Sequence, residues 1–147
     1  MIATVGLQRT NMIEIADTSQ VSRATLYNHF RDKNSVLRAL LESEVERIFQ
    51  LVDSDISPME ALEGMSHEIS SDRALEMMRK TDPAILTQIL TRIDDPLWLQ
   101  IHEGLNRLLH REKVAEIASL WLVAQVVQPL NAERSREQSR AIASLMA

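Results

Sequence analysis

The sequence predicts an all-α fold, and three observations carry that expectation. The 147 residues contain only three glycines and four prolines, so few points along the chain interrupt a helix. Apolar residues recur at the 3–4-residue spacing of a helix face, and no stretch shows a convincing strand-like alternation. Polar capping residues precede the apolar-periodic segments at regular intervals, three of them joined to a proline that suits a first helical position.

The first two helices lie between Asn11 and Phe30, NMIEIADTSQVSRATLYNHF, around a tight turn. Asn11 supplies a cap, and Glu14 three residues on completes a capping-box pattern ahead of Ile15 and Ala16. Ser22 repeats the signal for a second helix, in which Leu26 and Phe30 share a face with Val21 just outside it; that face is expected to meet the first helix. Asp32 starts a third helix, from Lys33 to about Val52, with Val36, Leu37, Leu40, Leu41, Val45, Ile48, Phe49 and Val52 as a long apolar stripe.

Ser57-Pro58-Met59-Glu60 is a capping box with proline at the first helical position, opening a helix to about Ser70. Further helices are expected near Asp72–Lys80, and after Asp82-Pro83 and Asp95-Pro96 over Pro83–Ile93 and Pro96–His110. One from about Glu112 runs to Gln128, where Pro129 stops it, and Asn131 caps a last one through Met146. The composition shift over Asp53–Pro58 marks a boundary between residues 1–52, the helix-turn-helix with its connecting helix, and a helical body over 53–147.

Two short helices around a tight turn are the elements of a DNA reader. The second leaves Arg23, Thr25, Tyr27 and Asn28 opposite its apolar face, all able to donate to phosphates or base edges in the major groove. The stretch from Gly6 through Thr10-Asn11, Ile15-Ala16, Val21-Ser22, Thr25-Leu26-Tyr27, His29-Phe30 and Lys33 to Leu37 resembles the TetR-type bacterial transcriptional regulators in order and spacing. The resemblance implies that the second helix is the recognition helix, and that Tyr27 and Lys33 touch phosphates. It also implies a homodimer that releases DNA when a small molecule binds. Arg23, Thr25, Tyr27, Asn28, His29 and Lys33 inherit candidate DNA contacts, with Asn11 at the start of the motif.

The chain departs from the family pattern twice. The turn carries Ser19-Gln20 where the family commonly has glycine, a place where the backbone can need φ > 0. At the amino end only Met1–Val5 precede Gly6, whereas the family has a full first helix; a typical helix needs ~10–14 residues. The expectation is a truncated first helix, from a deliberate shortening, a misassigned start codon or omitted residues, with reduced cover over Ile15, Leu26 and Phe30. Sequencing the upstream reading frame tests it, and an in-frame stop directly before Met1 would refute it.

The formal net charge of −5 is unevenly spread. Residues 21–38 hold Arg23, Arg31, Lys33 and Arg38 against only Asp32, while residues 51–147 carry ten basic and fifteen acidic groups. A basic patch on an acidic body permits phosphate contacts and favours one docking orientation, although the same charges would also serve as an ordinary solvated surface. The absence of cysteine excludes disulfides and thiolate metal sites. No signal peptide and no membrane-length apolar run are visible, so a cytoplasmic protein without membrane contact is expected. His67, His102 and His110 show no i, i+3 or i, i+4 pairing, so neither metal nor cofactor is expected; His29 reads as a cap or phosphate contact. Without a GxSxG, a phosphate-binding glycine loop or a dinucleotide fingerprint, an enzyme is not expected.

The helix from Glu112 is apolar around much of its circumference, with Val114, Ile117, Ala118, Trp121, Leu122, Ala124, Gln125, Val126 and Val127, and it needs neighbours on more than one side. Ile117, Trp121, Gln125, Ile142 and Leu145 are therefore candidates for a two-fold, four-helix interface, the alternative being intramolecular core. Met59, Met65, Met77, Met78, Trp98 and His102 could line an adaptable pocket for a small apolar or amphipathic effector, or simply form core. The combined expectation is a dimeric, ligand-released repressor of a near-palindromic double-stranded operator. The rival is a helical ligand-binding or dimerisation module that has lost DNA binding, and a mobility-shift assay separates the two.

Overall fold

Most helix starts in this protein are set by short polar caps. In the computed structural model, which describes residues 10–52, 55–92 and 94–147, nine helices follow one another and no strand occurs among those residues. They are α1 (Met12–Thr18), α2 (Arg23–His29), α3 (Lys33–Leu51), α4 (Pro58–Ser71), α5 (Arg73–Thr81), α6 (Pro83–Leu90), α7 (Pro96–Leu109), α8 (Glu112–Val127) and α9 (Ala132–Ser144). The Met1–Val5 segment, Gly6, the boundary residues Asp53-Ser54 and the expected helix end at Ile93 lie outside the described residues.

The caps act largely as the sequence indicates. Ser57 accepts from the Glu60 N–H at 3.2 Å, and the Glu60 carboxylate accepts from the Ser57 N–H at 3.0 Å, closing a full capping box. Asn11 accepts from the Glu14 N–H at 2.9 Å, but the reciprocal half is not made there, so only a simple cap forms. Asp72 both ends α4 and starts α5, its carboxylate accepting from the Leu75 N–H at 2.9 Å, so no linker separates those helices. The Asp82 side chain does not cap α6: its buried carboxylate accepts from the Thr81 hydroxyl, and Pro83 stands at the start of the helix. Helix α7 ends where His110 turns left-handed at φ 53°. Helix α9 stops at Ser144, two residues before the expected Met146.

Three apolar clusters hold the chain together, and α3 reaches all of them. Met12, Ala16 and Leu26 form the first, with Ile15, Phe30 and Val36 against them. Leu37, Met78 and Leu86 form the second, with Leu41, Leu75, Ile85, Ile89 and Val126 packed around. The largest centres on Leu62, Met65, Leu105, Ala115, Ala118 and Leu122, with Ile48 and Phe49 of α3 and Val52 just beyond it on its edge. Each fully buried large apolar side chain in that cluster contributes about 1.5–3 kcal/mol relative to exposure. Helix α4 packs chiefly on α9, and α7 on α8.

The stripe on α3 is less covered than its periodicity suggests. Leu40 is 52% exposed, because the first two clusters draw on Val36, Leu37 and Leu41 and leave Leu40 facing out. Val21 is also exposed rather than packed with Leu26, since it lies in the turn beyond α1 and precedes the cap of α2.

Candidate nucleic-acid interface and apolar cavity

The turn between α1 and α2 is a Schellman closure built without glycine. The Val21 N–H donates to the Ala16 carbonyl at 3.1 Å and the Gln20 N–H to the Asp17 carbonyl at 3.3 Å, which puts Gln20 at φ 58°. The left-handed turn residue anticipated at Ser19-Gln20 is therefore Gln20. Ser22 then caps α2 by accepting from the Thr25 N–H at 3.0 Å, and the Ser22 and Thr25 hydroxyls share a 2.8 Å bond.

Only Leu26 of α2 is buried, docking the helix on Met12 and Ala16. Arg23, Thr25, Tyr27, Asn28 and His29 all lie exposed on the remaining surface. Arg23 and Tyr27, four apart, stand one above the other, and Thr25 neighbours Asn28 and His29 in the same way. The His29 ring leans on Phe30 with centroids 6.4 Å apart, which orients the imidazole at the end of the helix. Asn11 stands at the start of α1 with its carbonyl oxygen committed to the cap. Lys33, half-buried, opens α3. Asp32, the one acid within the basic stretch, turns its carboxylate to the Ser35 N–H and hydroxyl, both at 2.8 Å. Those bonds hold its carboxyl below the ordinary range.

The ligand candidates do not come together as one group. Leu41, Val45, Ile48, Met65, Ile69, Leu86, Leu97, Ile101, Leu122 and Val126 are among the residues that line an apolar cavity of about 110 Å³ between α3 and the body. Met65 belongs to it, but Met78 lines a separate groove of about 470 Å³ between α1, α3 and α5; Met77, Trp98 and His102 line neither. Methionine content signalled adaptable packing, yet it carries no information on which helix faces converge. The charged residue on the cavity wall is Glu44, whose carboxylate accepts two 3.0 Å bonds from Arg47 and is held below its ordinary pKa by them.

The interface candidates divide. Gln125 is buried: its side-chain carbonyl accepts from the Ser66 hydroxyl, which in turn accepts from the Ser135 hydroxyl at 2.7 Å, tying α8, α4 and α9 within one chain. Ile142 is core as well. These two are corrected from interface to intramolecular packing, because the inner face of α8 and the facing serines of α4 and α9 complete each other. Trp121, half-buried, donates its indole N–H to Gln138 at 2.7 Å, while Ile117 and Leu145 are exposed. The serine network was missed from sequence, although Ser135 and Ser139 at helical spacing were a usable signal. Among the described residues, no group of three or more His, Asp or Glu side chains is gathered for a metal ion.

A short helix presenting a polar face after a tight turn is the arrangement of a helix-turn-helix, here joined by one long helix to a helical body. Residues 1–40 match the family described as bacterial regulatory proteins, tetR family, a stretch that includes α1, α2 and the start of α3. Its relatives include the "HTH-type transcriptional repressor KstR2" of Mycolicibacterium smegmatis (strain ATCC 700084 / mc(2)155), 32% identical over 69 residues. The repressor of the same name from Mycobacterium tuberculosis (strain ATCC 25618 / H37Rv) is 33% identical over 69 residues. Each alignment covers 44% of this chain and spans 34% of the relative's length. Among the described residues no helix is long and apolar enough to cross a membrane.

Proposed function

We propose that this chain is a TetR-like transcriptional repressor that binds a near-palindromic operator as a homodimer and leaves it when a small apolar or amphipathic effector binds. The observation that carries the reading is α2: it buries Leu26 alone and offers Arg23, Thr25, Tyr27, Asn28 and His29 to solvent on a helix of the kind a major groove is wide enough to admit. Residues 1–52 serve as the DNA-reading part with its connecting helix, and residues 53–147 as the ligand-binding and dimerising body.

The effector reading is supported by the apolar cavity between α3 and the body, since a guest that enlarges it acts on the helix that carries α2. The dimer reading is supported by a second apolar face on α8, where Ile117, Leu120, Ala124 and Val127 are exposed beside Trp121 at helical spacing.

Binding of the full-length protein to DNA from its neighbouring promoter, followed by fluorescence anisotropy over a salt series, tests the assignment. Tyr27→Phe and Lys33→Ala should weaken binding to all sequences, and Lys33→Ala should lower the salt slope by about one. Asn28→Ala should mainly relax sequence preference, by about 1–3 kcal/mol at the affected base pair. Unchanged affinity and slope in all three variants would overturn the assigned face.

A further inference from the structure

Helices α3 and α7 lie side by side and run in the same direction. Arg38 pairs with Asp95 at the amino end of α7, the Gln100 amide donates to the Glu42 carbonyl at 3.2 Å, and the Phe49 ring sits over Gly104. The residue numbers rise together on both helices, so α7 acts as a rail along which α3 is seated. The rail is tight: a Cβ on Gly104 would come within 2.5 Å of the Phe49 ring.

The end of this rail nearer to α2 is held by a carboxylate with two tasks. Asp95 is buried, only 4% of its side chain remaining exposed, and one oxygen accepts both the Leu97 N–H that starts α7, at 2.9 Å, and the Arg38 guanidinium. Arg38 also lies 3.4 Å from Glu42, one turn further along α3. Burial works against ionisation of Asp95, but the Arg38 guanidinium and the Leu97 N–H outweigh it and keep the carboxyl below its ordinary range, with Arg92 adding to the same effect. On the other side, Phe30 and Val36 pack with Leu26 in one cluster, so the first turn of α3 is seated directly against α2.

We propose that Asp95 is a positioning residue for the helix-turn-helix: its carboxylate locks the amino end of α7 to Arg38 and so fixes the angle at which α2 stands from the body. The apolar contacts of Leu37 with Met78 and Leu86 hold α3 close to the body, yet such contacts are non-directional and tolerate sliding. The charge-assisted bond to a buried carboxylate is directional, and it sits on the capping residue of the very helix it joins. A displacement of the first turn of α7 therefore reaches α2 through Arg38. The functional weight of this link rests on the DNA-binding reading above, but its geometry does not.

The absence of cysteine makes the test clean. Spin labels at Ala24→Cys on α2 and Arg140→Cys on α9, in protein diluted with unlabelled chain, report the distance from recognition helix to body by pulsed electron resonance. Asp95→Asn keeps an acceptor for the Leu97 N–H and the side-chain volume but removes the charge; Arg38→Met removes the partner and keeps the stem. Either substitution should shift or widen the distance distribution, and the double variant should show no more than the larger single effect, since all remove one link. Distributions unchanged in both single variants, or fully additive changes in the double, would overturn the proposal. If Asp95→Asn fails to fold, Arg38→Met decides alone. The measurement needs no DNA, so failure of the DNA-binding reading and failure of this inference are separate results.

Discussion

At the scale of single residues, backbone conformation rather than side-chain chemistry sets the most direct test. Gln20 is exposed and sits in the left-handed region at φ 58° because both hydrogen bonds of the Schellman closure require that turn. An L-residue with a Cβ pays roughly 1–2 kcal/mol there, partly offset because glycine loses more freedom on folding. Gln20→Gly should therefore raise stability by about 1 kcal/mol, a gain of a few degrees in Tm by differential scanning calorimetry. A lower Tm would mean that the Gln20 side chain makes a contribution larger than the strain. The position itself was legible in the sequence, as a departure from the glycine usual in such turns. The strain became visible only with φ, since Gln20 carries no local mark of the angle it adopts.

At the scale of helices, the caps were legible and the close approaches were not. Ser57 with Glu60, Asp72, Asp95 and Asn131 fix their helix starts through bonds spanning two or three residues, which is why spacing along the chain located them. Gly104 is different. It lies inside α7, where glycine weakens a helix by about 1 kcal/mol relative to alanine, and the reason stands 55 positions away in sequence as the Phe49 ring. Gly104→Ala should thus destabilise by about 1–3 kcal/mol despite the better helix former, because the ring or α3 has to give way. Combining it with Phe49→Leu should recover part of that loss in urea unfolding at equal m-value. An additive double variant, or a stabilised Gly104→Ala, would refute the close seating of α3 on α7. The same logic explains the scattered ligand candidates: Met77, Trp98 and His102 had the right chemistry, but helix rotation decides what lines a cavity, and a residue list contains no rotation between helices.

For the whole molecule, one face of α8 is buried within the chain and the other is exposed, and the assembly prediction depends on keeping them apart. The inner face, with Val114, Ala115, Ala118, Leu122 and Gln125, is consumed within the chain, so of the residues the sequence proposed for an interface Gln125 is taken up internally. The outer face leaves Leu120 64% and Ile117 46% exposed, with Ala124 and Val127 in line. Charging this face should dissociate a homodimer without touching the core. In a two-fold interface each substitution appears twice, and a charge buried there without a partner costs about 2 kcal/mol or more, near thirtyfold in Kd. Ile117→Glu combined with Leu120→Glu should shift the sedimenting species from dimer to monomer at micromolar concentration, with unchanged helical circular dichroism. Leu99→Glu, at an equally exposed leucine on α7, should leave the dimer intact. Equal masses for all three proteins would exclude the outer face of α8 from the interface, and DNA affinity falling together with the dimer would tie assembly to the reading of two half-sites, one by each α2.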